Sequence, residues 1–151
     1  NVARVLWDKL QAQPDIGTLQ RLSLYEDEDL CADLTAEAGS EVASVTRRYS
    51  FTAVHDGHRG HTWDLFVSVH GPIDRETGMV TDIVALDHLL KERVLVPFDG
   101  RDLRMVLATP SVTGEYLAKA VWDRIVSAIP AGTLQLVKLV QTRDLFYEYA
   151  G

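Results

Sequence analysis

The chain is poor in several things, and each shortage excludes something. A single cysteine, Cys31, in 151 residues forbids an internal disulfide and suits a reducing compartment. Basic residues are outnumbered, 15 Lys and Arg against 22 Asp and Glu, for a net charge of -7 and a pI of about 5.1. That balance argues against a phosphate-backbone binder, so no nucleic-acid partner is expected. No apolar run approaches the ~18–20 residues needed to cross a bilayer, so no membrane partner is expected either. The opening Asn1-Val2-Ala3-Arg4-Val5 lacks the pattern of an export signal, and a cytoplasmic location is expected. Ten Gly, five Pro and no low-complexity stretch rule out disordered and fibrous chains. What remains, 46% apolar residues, fills the core of one ordinary domain.

Periodicity sets out the elements. Val2, Val5, Leu6 and Leu10 share one helical face. Pro14 and Gly17 end that segment, and Thr18 to Glu26 reads as a strand. An acidic run, Glu26 to Asp29, follows, and the polar residues 35–40 form the best linker candidate. From Val45 to His55, Tyr49, Phe51 and Ala53 alternate with Arg48, Ser50 and Thr52. Beyond Gly57 and Gly60, Trp63, Leu65, Val67 and Val69 alternate in the same way, predicting a hairpin. Ile83, Leu86, Leu89, Leu90 and Val94 have helical spacing, with Thr81 the expected N-cap and Asp82 in the first turn. Pro97 and Gly100 interrupt the chain before a second helix, Gly114 to Ala128, capped by Thr113. A strand from Leu134 to Thr142 and a short one at Phe146-Tyr147 close the sequence. The order predicts an α+β domain, an antiparallel sheet under helices.

The opening and closing segments are nearly one text written twice. Val2 to Leu10 matches Leu117 to Ile125, Gly17-Thr18-Leu19-Gln20 matches Gly132-Thr133-Leu134-Gln135, and Asp29-Leu30 matches Asp144-Leu145. Every pair lies 115 positions apart, as Trp7 and Trp122 do. The expected organisation is therefore the helix–strand end of a first unit in 1–34, a linker in 35–40 and a complete unit in 41–151. Asn1 corresponds to Tyr116, so the chain is expected to begin partway through a repeat of a longer parent.

Three of the five histidines fall in His55-Asp56-Gly57-His58-Arg59-Gly60-His61. Catalytic zinc sites use three protein ligands and an open position, and three imidazoles make such a set. A solvated turn rich in His and Gly is the other reading of the same stretch. His70, His88 and Arg47-Arg48 read as surface or strand-edge residues, and Trp7 and Trp122 as helix-to-sheet packing.

Five motifs in order resemble the 6-pyruvoyltetrahydropterin synthase family, which includes the 6-carboxytetrahydropterin synthases. They are Phe51-Thr52-Ala53-Val54-His55, Gly60-His61-Thr62-Trp63, Gly78-Met79-Val80-Thr81-Asp82-Ile83, Thr113-Gly114-Glu115-Tyr116-Leu117-Ala118, and Val137-Lys138-Leu139-Val140-Gln141-Thr142. Leu24-Tyr25-Glu26 repeats the last of these and keeps the family's Glu. The resemblance implies a tunnelling fold, with two helices on one face of an antiparallel sheet and units joined edge to edge into a barrel. It implies a homo-oligomer, a zinc ion on His55, His58 and His61, and a pterin such as 7,8-dihydroneopterin triphosphate as substrate. The implied activity is that of a zinc-dependent carbon–oxygen lyase, with Asp99 catalytic and Thr113, Glu115, Gln141 and Glu26 substrate-binding. A family glutamate anchors the pterin because a carboxylate accepts two parallel N–H bonds from its aminopyrimidine edge.

The departures are as specific as the matches. Arg59 stands where the family's His-Gly-His motif has its first His, and Gly100 replaces the His after Asp99. Gln141 replaces the anchoring Glu, and the excursion that carries the catalytic cysteine in the family is reduced to a few residues. Asp99 also reads as a plain turn residue. The alternative expectation is thus a non-catalytic pterin-binding or structural unit, or the same fold serving another purine-like ligand.

Overall fold

The computed structural model describes residues 2–55 and 60–151. In chain order its elements are α1 (Val2–Gln11), β1 (Arg21–Tyr25), β2 (Leu30–Thr35), β3 (Val42–Ala53) and β4 (His61–Pro72). They continue with α2 (Ile83–Leu90), a π-helical turn (Lys91–Leu95), α3 (Val96–Phe98), α4 (Leu103–Val106), α5 (Gly114–Ile125), β5 (Thr133–Thr142) and β6 (Leu145–Tyr149). The six strands form one sheet in sequence order, each antiparallel to its neighbours.

The two faces of the sheet follow from the alternation in β3 and β4. Phe51, Ala53, Trp63, Leu65, Val67 and Val69 are buried and meet the apolar stripes of the helices, among them Leu86, Leu90, Val94, Leu117, Val121 and Ile125. Burying each large side chain contributes about 1.5–3 kcal/mol, which makes this layer the main source of stability. The opposite face is polar and laced with bonds: Thr46 to Ser68 at 2.8 Å, Arg48 to Asp64 at 3.0 Å and Lys138 to Glu148 at 3.0 Å. Partly exposed pairs of this kind contribute at most about 1 kcal/mol each. Among the described residues no helix is long and apolar enough to cross a membrane.

Several elements differ from the sequence expectation. Leu30–Thr35, where only an acidic run and a polar stretch were expected, forms β2 because β3 supplies a full ladder from Leu30↔Arg47 to Asp33↔Ser44. β3 is therefore an interior strand, and Arg47-Arg48 is not an edge: Arg47 reaches Asp87 on α2 and Arg48 reaches Asp64. The cap of α2 is Asp82 rather than Thr81, its carboxylate accepting from the amides of Val84 and Ala85. Helix does not stop before Pro97. Proline lacks an N–H and its ring crowds the carbonyl four residues back. The widened turn at Lys91–Leu95 makes room, and the Arg93 carbonyl accepts instead from Arg124 Nη1 at 3.0 Å.

The two segments of matching sequence have matching geometry. α1 precedes β1–β2 as α5 precedes β5–β6. Leu24 faces Ala32 across one hairpin as Leu139 faces Tyr147 across the other. Gly17 and Gly132, 115 positions apart, both take left-handed backbone, φ +69 and +77, which glycine alone adopts without strain.

Candidate functional site

Chemistry-bearing residues gather in two places on the helix side of the sheet. The first lies at the far end of the β3–β4 hairpin. His55 follows β3, and its neighbour Val54 bridges to Asp102. His61 opens β4. Their rings stand 6.3 Å apart, near perpendicular, and each lies 5.3 Å from the ring of Trp63. Trp63 is buried, and its indole N–H has no hydrogen-bond partner among the described residues, an unusual cost for a buried donor. His61 Nε2 donates to the Gln141 carbonyl at 2.6 Å, which ties the ring to β5 and leaves Nδ1 for other use.

The sequence expects a third imidazole from His58, which lies outside the described residues. Among the described residues no group of three His, Cys, Asp or Glu is placed to hold a metal ion. Two imidazoles of the right chemistry do converge, so the described part of the site fits two ligands of a three-histidine set.

Gln141 sits beside this pair on β5, and its side-chain oxygen accepts from the Tyr147 hydroxyl at 3.3 Å. The Tyr147 ring lies 6.3 Å from Trp63. It also presses on the first residue of α5: a Cβ built on Gly114 meets the ring at 2.1 Å, so only glycine fits there.

The second place is a cavity of about 280 Å³ between the α1–β1–β2 segment, the start of β3 and the Gly78–Ile83 stretch. Ala3, Leu24, Glu26 and Ala32 wall one side, and Met79, Val80 and Thr81 the other. Glu26 is exposed and makes no side-chain hydrogen bond or ion pair with another described residue. Thr81 is 3% exposed, and its hydroxyl has no hydrogen-bond partner among the described residues. A carboxylate without a described partner thus lines a largely apolar recess, the combination expected of a site for a small polar molecule.

The remaining predicted residues have structural partners. Asp99 ends α3, and its carboxylate accepts from the Thr52 amide at 2.8 Å, fastening the loop to β3. The Thr113 hydroxyl caps α5 by accepting from the Tyr116 amide, and Glu115 is exposed in the first turn, where the helix dipole favours a carboxylate. One polar cluster was missed by sequence reasoning. Asp87 on α2 accepts from Tyr49 Oη at 2.8 Å and from Arg47 Nε at 3.2 Å. Burial, with Asp87 as acceptor, pushes the Tyr49 hydroxyl far above its ordinary range. An acidic residue four positions after Ile83, facing two polar positions of β3, was the only available sign.

A six-stranded antiparallel sheet with its helices on one face belongs to the tunnelling-fold class. The solved structure of the Caenorhabditis elegans 6-pyruvoyl tetrahydropterin synthase has this fold and superposes with a TM-score of 0.67 at 23% identity, over 73% of this chain and 96% of that one. The family model for 6-pyruvoyl tetrahydropterin synthase matches residues 44–151. The 6-pyruvoyl tetrahydrobiopterin synthases of Pongo abelii and Homo sapiens are 32% and 31% identical over 134 residues, which take in 72% of this chain and 92% of each relative. The chain belongs to the 6-pyruvoyl tetrahydropterin synthase family.

Proposed function

We propose that the protein binds a pterin such as 7,8-dihydroneopterin triphosphate through the Glu26 cavity. Membership of the family supports a pterin synthase-like role. The observation that carries the choice of cavity is that Glu26, whose carboxylate has no partner among the described residues, lines a largely apolar recess together with Thr81. A carboxylate offers two parallel acceptors to an aminopyrimidine edge, and the recess walls take a flat ring. Residues 1–34 are, in this reading, the end of a first synthase-like unit, 35–40 a linker and 41–151 a complete unit. Exposed strand edges favour association of such units into a homo-oligomer.

His55 and His61, with His58, are the proposed zinc ligands. Zinc bound there would act as a Lewis acid on an oxygen ligand brought to that end of the hairpin. A second reading, a pterin-binding unit without turnover, is favoured by two contacts: Gln141 is engaged by Tyr147, and Asp99 is engaged by the Thr52 amide. Titration with neopterin against a purine panel tests the binding, and saturable binding of neopterin alone is expected. Metal analysis and triphosphate release separate the two readings. Stoichiometric zinc that disappears in His55→Ala, together with release, supports the enzyme; neopterin binding by a protein without either supports the binding unit.

A further inference from the structure

The two anchor positions differ in one neighbour. Glu26 and Gln141 lie 115 positions apart, and so do Ala32 and Tyr147. The hairpin registers agree, Leu24 facing Ala32 and Leu139 facing Tyr147. The two small-versus-large positions therefore occupy the same place on equivalent strands. At the first, Ala32 helps line an open cavity with Glu26 at its mouth. At the second, the Tyr147 ring lies over the first turn of α5, so close that residue 114 has no room for a Cβ, and its hydroxyl donates to the anchor amide.

We infer that Tyr147 is a built-in plug: it fills, at Gln141, the space that Ala32 leaves for a ligand at Glu26. The chain therefore takes a flat aminopyrimidine-type heterocycle at one anchor and closes the other with its own side chain. Two substitutions fit this assignment together. An anchor carboxylate buried under a phenol ring would lose its solvation, whereas an amide takes the phenol hydrogen bond without a charge. Glycine at 114 supplies the remaining volume. Trp63, at 6.3 Å, walls the plugged side.

The inference rests on the pterin-binding reading for its ligand, but not for the plug itself, and two measurements keep them apart. In titrations with neopterin, the wild-type protein should bind one molecule per chain. Glu26→Gln should weaken that binding at least tenfold, and Gln141→Ala should change it less than twofold. Tyr147→Ala combined with Gln141→Glu should raise the stoichiometry to two. Weakening by Gln141→Ala instead, or a stoichiometry that stays at one in the double variant, overturns the plug. If neopterin does not bind the wild type, the functional reading fails, and p-cresol decides the plug on its own. It should raise the Tm of Tyr147→Ala by several degrees through refilling the hole and leave the wild-type Tm unchanged. No rise in the variant overturns the plug. Tyr147→Val serves in the same measurements should the alanine variant not fold.

Discussion

The segment α1–β1–β2 and the segment α5–β5–β6 share a sequence pattern and a hairpin register, yet they have opposite surroundings. The strand β2 is sandwiched between β1 and β3, whereas β6 has a partner on β5 alone among the described strands. One result is burial: Leu34 is fully buried, while its counterpart Tyr149 is half-buried beside Trp122. Another is chemistry: an open carboxylate at Glu26 against a covered amide at Gln141. One local sequence pattern dictates a helix and a hairpin, the neighbouring strand sets how deeply the hairpin is buried, and one side chain, Ala32 or Tyr147, sets whether its anchor is open.

The comparison breaks most visibly at the buried pair. Leu34→Ala should cost about 2–5 kcal/mol, as full-burial leucine truncations do. Tyr149→Ala should cost about 1–2 kcal/mol from partial burial and one aromatic contact. Urea unfolding of both variants checks the ordering, and equal costs would mean that the two hairpins are equally embedded. Next in size is Gly114→Ala, which should destabilise by about 1–3 kcal/mol because its methyl collides with the Tyr147 ring. Adding Tyr147→Ala should make the Gly114→Ala change nearly neutral, and a double-mutant cycle measures that coupling.

The smallest effect concerns Cys31, whose counterpart is the exposed Phe146. Burial, and then the Asp33 carboxylate, push the Cys31 thiol up. A raised acid pKa means the folded state holds the proton more tightly. Its contribution is present below the ordinary thiol range and is lost as pH rises through that range towards the folded value. Alkylation by iodoacetamide should therefore be slower than that of a free cysteine at pH 8 and should catch up at higher pH. A rate equal to free cysteine at pH 8 would place Cys31 in open solvent.

Much of this was legible in the residues. Alternation placed β3 and β4 with the right faces, and Thr113 marked the start of α5, because each of these depends on local spacing and local capping. β2 was not legible, since Asp33 interrupts a short apolar run that follows four acidic residues, and its hydrogen bonds come from β3. The 115-position spacing held the missing signal: shifted back, β6 falls on Leu30 to Leu34. The helix through Pro97 was hidden for a different reason, because the widened turn that tolerates the proline is stabilised from outside by Arg124. Of the candidate site, the pairing of His55 with His61 was readable from the hairpin. The Glu26 cavity was not, because part of its wall comes from the Gly78–Ile83 stretch, distant in sequence from Glu26. Tyr147 gave no sign in sequence except that its counterpart is alanine.

The turn between Thr35 and Val42, with Gly39 at φ +77, ties β2 to β3 through a handful of residues. Strands joined by so short a tether meet at an effective concentration on the order of millimolar. Dilution separates associations between different chains, but it leaves this joint closed. The cavity built across it, with Glu26 on one bank and Thr81 on the other, therefore persists at concentrations where any assembly of separate copies has come apart.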